Sequence, residues 1–282
     1  MDSDMKIQPP VPLVRQNAWI KVLSTAAVFY VLLLVAYLLT DNSNLIPTLV
    51  MVGNFMVPVT FVAFLYERRH LSRLTMPTVS LAFLYGGLVG VIAASLLEPF
   101  FISQLDLGAI LKVGFIEEFA KILGVLVIAR HRRHDSEMTG LILGAAVGMG
   151  FAALESTGYA FTAFLESQGS ISTTVGVTLI RGLFSPLGHG TWTAILASVL
   201  FRESRGGHFR IDLKVIGAYL LVSILHAMWD GLTLVVTYVS GPGLGVFIAE
   251  GVIGIIGLFV LWLRWRDAVR LQTVMPPETE DI

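Results

Sequence analysis

Seven ionisable side chains lie within long apolar stretches of this sequence, where a charged group is costly. They are, in chain order, Glu117, Glu118, Lys121, Glu155, His189, His226 and Asp230. An ionisable residue at the centre of a membrane helix costs about 3 kcal/mol, so such residues are usually functional. Carboxylates and imidazoles can act on water as general acids and bases, or they can bind a divalent metal ion. The sequence therefore predicts proton or metal chemistry at these positions.

The composition indicates that lipid is the solvent for most of the chain. Of 282 residues, 55% are hydrophobic and only 14% are charged, and the mean hydropathy is +0.78. A soluble domain carries about 25% charged residues. The net charge of −1 gives no basic field for nucleic acid, so no nucleic-acid partner is expected. Because the chain has no cysteine, disulfide scaffolds, thiolate metal sites and cysteine nucleophiles are excluded.

Hydropathy predicts an all-α fold, a polytopic membrane helix bundle of about eight transmembrane helices. The predicted spans are 17–39, 44–66, 78–99, 108–129, 139–164, 183–201, 215–238 and 244–263. The sixth is the least regular, because the apolar stretch that contains it leaves room for a short interfacial helix at about 173–182.

The basic residues predict the orientation of the bundle. Sixteen of the 19 lysines and arginines lie in the terminal segments or in alternate connections, whereas the intervening connections have none. The positive-inside rule then places both termini in the cytoplasm. The expected organisation is a cytoplasmic N-terminal tail (1–16), transmembrane helices 1–3 (17–107), a transmembrane core of helices 4–8 (108–263) and a cytoplasmic C-terminal tail (264–282).

Four of the predicted spans carry their polar residues at a similar depth. The carboxylates and imidazoles lie about six to twelve residues from the outer ends of the spans, at about 1.5 Å per residue. Glu117 with Lys121, and His226 with Asp230, are four residues apart and share a helix face. We therefore expect one convergent site in the outer half of the bilayer.

Charge balance and glycine spacing add two expectations. The four carboxylates outnumber Lys121, so protonation, cationic histidines or a metal ion must compensate them. Lys112 and Arg181 would remove most of this excess if they faced the site, and Glu250 is expected near a membrane interface. The fifth span carries a stripe of small residues that would let a second helix approach closely, namely Gly140, Gly144 and Gly148.

Several known proteolytic chemistries do not fit these residues. The H-E-x-x-H motif of zinc proteases is absent, and an aspartyl dyad would need a second deep aspartate beside Asp230. A dyad of Ser185 with His189 or His226 would leave the glutamates unexplained. The remaining chemistry is a glutamate that activates water, assisted by histidines and by a metal ion if one is bound.

Four motifs in order carry a resemblance to a known family. They are E-E-x-x-K at 117–121, F-x-x-x-E at 151–155, P-L-G-H at 186–189 and H-x-x-x-D at 226–230. Over about 110–235 the chain resembles the PrsW family of intramembrane proteases, which is distantly similar to the type II CAAX prenyl proteases and the ABI family.

The resemblance implies an endopeptidase of a prokaryotic plasma membrane. It would cut membrane-anchored proteins, such as anti-sigma factors, on the extracytoplasmic side in a stress response. By motif, Glu117 would be the general base, and Glu118 and Lys121 would hold or tune it. The remaining residues would bind one divalent metal, zinc by preference, or position water and the oxyanion. The candidate metal ligands are Glu118, Glu155, His189, His226 and Asp230.

Two other classes of protein use similar residues. Buried carboxylates and histidines form proton relays in proton- or ion-coupled transporters. Transporters often show two similar halves, whereas here the polar residues crowd one half of the chain. A non-catalytic membrane immunity or binding protein is the third class. Cleavage of a single-pass membrane substrate would distinguish the protease from both.

Overall fold

The computed structural model describes residues 17–69, 72, 74–104, 107–130, 136–205, 207–241 and 243–274. These residues form helices and no β-sheet, which confirms the predicted all-α bundle. The helices are α1 (Ala18–Thr40), α2 (Ile46–Glu67), α3 (Met76–Leu81), α4 (Gly87–Phe101), α5 (Leu107–Ala129), α6 (Glu137–Glu166), α7 (Ile171–Phe184), α8 (His189–Arg202), α9 (Leu213–Ser240) and α10 (Leu244–Val274).

Six described segments are long and apolar enough to cross a membrane, which confirms a polytopic protein. They contain α1, α2, α6, α9, α10 and the continuous stretch Met76–Phe101, in which five π-helical residues join α3 to α4. Helix α5 has 23 residues but carries four charged side chains. The number of spans and the side of the termini stay predictions. The predicted tail 1–16 lies outside the described residues, as do 275–282, whereas 264–274 continue α10.

The predicted sixth span, 183–201, is not one helix in the structure. Helices α7 and α8 have 14 residues each, with a 3-10 turn at Ser185–Leu187 and Gly188 between them. Pro186 lacks the amide donor that a continuing helix needs, and Gly188 has a non-helical backbone (φ −108°, ψ −114°). The Thr191 hydroxyl donates to the carbonyl of Pro186 at 2.6 Å, so the break is locally satisfied. The short helix expected at about 173–182 is confirmed as α7.

Helix α6 forms the centre of the bundle. Its most apolar 18-residue window is 94% buried, and its main partner is α8. A Cβ on Gly140, Gly144 or Gly148 would lie 2.3–2.5 Å from a carbonyl oxygen of α8, so the two helices pack backbone to backbone. The expected role of the glycine stripe is confirmed. At Gly148 the close carbonyl belongs to His189, so this contact sets where α8 begins.

Candidate active site

The seven residues singled out from the sequence lie in one network of polar contacts. Helix α5 supplies two glutamates and a lysine, α6 a glutamate, α8 a histidine and α9 a histidine and an aspartate. We call this network the site cluster; its members are Glu117, Glu118, Lys121, Glu155, His189, His226 and Asp230. The predicted convergence of four helices is therefore present in the structure.

Lys121 is the centre of the site cluster and is completely buried. Its Nζ lies 3.1 Å from Glu117 Oε2, 2.8 Å from Glu118 Oε1 and 2.7 Å from His189 Nδ1. The ammonium has three N–H donors, which matches these three acceptors. It also lies 4.3 Å from the centroid of the Phe151 ring. Lys121 thus fixes both glutamates and one histidine.

The hydrogen bonds of His226 indicate its tautomer. Its Nδ1 lies 3.0 Å from Glu118 Oε1, and because an ionised carboxylate only accepts, the proton lies on Nδ1. In the neutral imidazole the lone pair is then on Nε2, which is 3.7 Å from Glu117 Oε2 and 3.5 Å from Asp230 Oδ2. The Trp192 ring stacks on the imidazole, with centroids 4.8 Å apart. A carboxylate on the far nitrogen is the usual support of a metal-binding histidine.

His189 has the opposite tautomer. Its Nδ1 faces the ammonium of Lys121, which only donates, so Nδ1 carries the lone pair and Nε2 the proton. That Nε2 lies 3.2 Å from Glu155 Oε2. His189 is the first residue of α8, so the helix break places this imidazole between Phe151 and Trp192.

Arg181, which the sequence left without a role, joins the site cluster at Glu155. Its Nη2 lies 2.9 Å from Glu155 Oε2, its Nε donates to Ser156 Oγ at 3.2 Å, and its guanidinium covers the Tyr159 ring at 3.9 Å. Lys112 lies elsewhere, because its Nζ donates to the carbonyl of Phe101. The position of Arg181 on the polar face of α7 is the sequence signal that could have identified it as a site residue.

Three ligand atoms in the cluster are placed to hold a metal ion. Single atoms of Glu117, His189 and His226 lie within 4.8 Å of one another, the one such group among the described residues. Four carboxylates face two cations, Lys121 and Arg181, so two negative charges are formally in excess. A divalent ion would balance it, and the nitrogen and oxygen donors suit zinc. Lys121 Nζ lies 3.1 Å from Glu117 Oε2 and 2.7 Å from His189 Nδ1, so a metal ion bound to these two atoms would displace the ammonium.

This donor set differs in part from the predicted ligands. It contains His189 and His226, and its carboxylate is Glu117 instead of Glu118. Glu155 Oε2 lies 3.2 Å from His189 Nε2, and Asp230 Oδ2 lies 3.5 Å from His226 Nε2.

A serine–histidine dyad receives no support from the structure. The Ser185 hydroxyl donates to the carbonyl of Gly182 at 2.8 Å and makes no described hydrogen bond to a histidine. Its position on the 3-10 turn between α7 and α8 explains this, because that turn leaves the Gly182 carbonyl free to accept.

Comparisons with known proteins identify the family. Residues 75–263 match the family described as PrsW family intramembrane metalloprotease. Protease PrsW of Halalkalibacterium halodurans is 29% identical over 182 residues, which cover 62% of this chain and 79% of that protein. No solved structure matches the chain. The similarity to CAAX prenyl proteases stays a prediction.

The matched range includes every residue of the site cluster. With the six apolar helices, the family match and the bacterial relative indicate a multi-pass protein of a prokaryotic plasma membrane. The family match also makes the chain a peptide hydrolase that acts on membrane-associated substrates. This chain belongs to the PrsW family of intramembrane metalloproteases.

Proposed function

We propose that this chain hydrolyses a peptide bond of a membrane-anchored protein, with water activated by Glu117. One observation carries the proposal: the buried Glu117 carboxylate, fixed by Lys121, lies within 4.0 Å of His189 Nδ1 and His226 Nε2. A carboxylate in this setting can accept a proton from water and later release it. We also propose that the substrate is an anti-sigma-factor-like protein, a class suggested by the sequence resemblance.

In the proposed reaction Glu117 moves the proton. Its Oε2 is held by Lys121, and its Oε1 takes a proton from the water that attacks the carbonyl carbon. When the C–N bond breaks, Glu117 gives this proton to the leaving amine, so the carboxylate is regenerated. Lys121 keeps the carboxylate in place, and the positive charge of the ammonium stabilises the ionised form before attack.

The other cluster residues position these groups. Glu118 accepts from Lys121 and from His226 Nδ1, which directs the His226 lone pair toward Glu117. Glu155 accepts from His189 Nε2, which directs the His189 lone pair toward the same side. Glu117, His189 and His226 would hold the metal ion. When bound there, the ion would polarise the carbonyl and lower the pKa of water.

The substrate must expose its backbone to this site. A helical segment shields its peptide bonds through internal hydrogen bonds, so we propose that the substrate segment unwinds beside the cluster. The depth predicted from the sequence supports a cut near the extracytoplasmic side.

The test is cleavage by the purified full chain in detergent. Single-pass anti-sigma factors are incubated with the protein, and the products are identified by mass spectrometry, with and without a chelator. Cleavage by the wild type and loss of cleavage in Glu117→Gln are expected, and chelation should reduce the rate. If a folded Glu117→Gln protein cleaves as fast as the wild type, the role of Glu117 is wrong.

A further inference from the structure

A cavity of about 70 Å³ lies against His189, beside the groups that act on water. Residues from five helices and from the turn before α8 border it. Its apolar wall includes Ile180 and Trp229, and its polar wall includes Ser156, Arg181 and Glu250. The proposed proton transfer leaves this space and most of these side chains without a role.

The polar wall offers both a donor and an acceptor. Arg181 uses Nη2 and Nε on Glu155 and Ser156, and a guanidinium has five N–H donors, so it can also donate to a ligand. Glu250 contributes a carboxylate, which accepts from Thr233 at 3.3 Å and keeps further lone pairs. An unwound peptide in a membrane needs partners of both kinds for its N–H and C=O groups.

The size of the cavity limits what can enter. A water molecule needs about 10–15 Å³ of such space, so the cavity has room for about five waters. This space accommodates a small side chain with part of its peptide unit. Ile180, Trp192 and Trp229 border it, so a large aliphatic or aromatic side chain would have to displace them.

We propose that this cavity is a specificity subsite that takes one residue flanking the scissile bond and selects glycine, alanine or serine. Arg181 and Glu250 bind the unwound backbone of that residue, and Ile180 limits the size of its side chain. This inference rests on the proposed function, because the ligand is the substrate of the same site. It adds a sequence preference that the catalytic groups alone do not impose.

Ile180 gives a variant that tests the subsite without disturbing the core. Its side chain is 43% exposed, and the neighbouring Leu179 is 42% exposed but does not line the cavity. Single-pass peptides that carry alanine or phenylalanine beside the mapped cut are compared as substrates. Ile180→Ala should raise the phenylalanine-to-alanine cleavage ratio about tenfold, the usual effect of a change in pocket size. Ile180→Trp should lower cleavage of the alanine peptide, and Leu179→Ala should leave the ratio unchanged.

A second readout does not depend on cleavage. Because the chain has no cysteine, Ile180→Cys and Leu179→Cys each introduce a single thiol, and the Glu117→Gln background prevents turnover. N-ethylmaleimide labelling of the Ile180→Cys thiol should slow in the presence of the alanine peptide and not of the phenylalanine peptide. The Leu179→Cys thiol should be labelled at the same rate in the presence of either peptide.

The outcomes separate the two proposals. If the wild type does not cleave but the Ile180→Cys thiol is selectively protected, the proposed function is wrong and the subsite proposal stands. Cleavage whose residue preference does not respond to Ile180→Ala or Ile180→Trp would overturn the subsite. Equal labelling with both peptides would also overturn it, because the cavity would then not discriminate between alanine and phenylalanine.

Discussion

Two buried charged clusters lie at opposite ends of the contact between α6 and α8, and they are built differently. The second, which we call the anchor cluster, consists of Glu137, Ser198, Arg202 and Arg264. Glu137 contacts the Nη2 of Arg264 and lies 3.8 Å from Arg202 Nη1, and Arg264 Nε donates to Ser198 Oγ. The side chain of Glu137 is only 2% exposed, so burial alone does not distinguish this cluster from the site cluster.

The clusters differ in the balance and type of charge. The anchor cluster has one carboxylate with two arginines, which stay protonated in proteins. The site cluster, taken together with Arg181, has four carboxylates, two histidines and two cations. In the first, the Glu137 carboxylate of α6 is paired with arginines of α8 and α10 and so links these helices. The second has excess acceptors and groups that can change protonation, which is what proton transfer and metal binding need.

The largest effect should come from Glu117→Gln. Replacing the carboxylate by an amide removes the proton acceptor, so cleavage should fall about a thousandfold. The melting temperature should stay within a few degrees of the wild type, because Lys121 keeps its ion pair with Glu118. Rates are measured on the purified protein, with Glu166→Gln at the exposed end of α6 as the control. Equal losses in both variants would show that charge removal acts through folding.

The corresponding change in the anchor cluster is Glu137→Gln, which should lower stability and leave cleavage intact. It leaves Arg264 without its carboxylate partner, and breaking a buried ion pair costs about 3 kcal/mol. Thermal unfolding in detergent should occur well below the wild-type temperature, while cleavage per folded molecule should persist. A large loss of activity in protein that remains folded would contradict the assigned division of roles.

Glu118→Gln should weaken metal binding. Glu118 supports His226 through Nδ1, and loss of such a supporting carboxylate lowers metal affinity about 10- to 100-fold. Competition with a zinc-binding dye measures the affinity directly, so the result does not depend on turnover. An unchanged affinity would show that His226 is not a ligand or is oriented without Glu118.

Three glycine-to-alanine changes on α6 should give the smallest effects, and the size of the effect should differ from one position to the next. A Cβ on Gly148 would meet the carbonyl of His189, and one on Gly140 would meet that of Ala197, whereas Gly158 has open space around it. Overpacking costs about 1–2 kcal/mol. Gly148→Ala should lower both stability and cleavage, and Gly140→Ala should lower stability alone.

Gly158→Ala is the control for both changes. It should leave cleavage intact, since nothing lies within 4 Å of the added methyl group. Melting temperatures and initial rates of all three variants check the series. If Gly140→Ala and Gly148→Ala reduced cleavage equally, the two ends of the α6–α8 contact would not have separate roles in stability and cleavage.

Two aspects of the site could be predicted from the sequence. They are the residue types, which follow from composition, and the contacts between residues that are spaced along one helix. The charges of α5 stand out in an apolar stretch, and the four-residue spacing places Glu117 beside Lys121. Contacts between distant helices were not predictable in this way. The pairing of Arg181 with Glu155 and the stacking of Trp192 on His226 depend on the path of the chain through the turn at Pro186. Hydropathy cannot reveal that turn, because both sides of it are equally apolar.

The break between α7 and α8 bears on how the protein enters the membrane. Each helix has 14 residues, which is about 21 Å at 1.5 Å per residue and too short for a hydrocarbon core of about 30 Å. Most of α8 faces protein, since Gly190 through Ser198 are all buried. We expect this segment to integrate during biogenesis by docking onto α6, which is synthesised before it. The order of synthesis then matters for assembly, because the emerging α8 finds its glycine-lined partner already in the membrane.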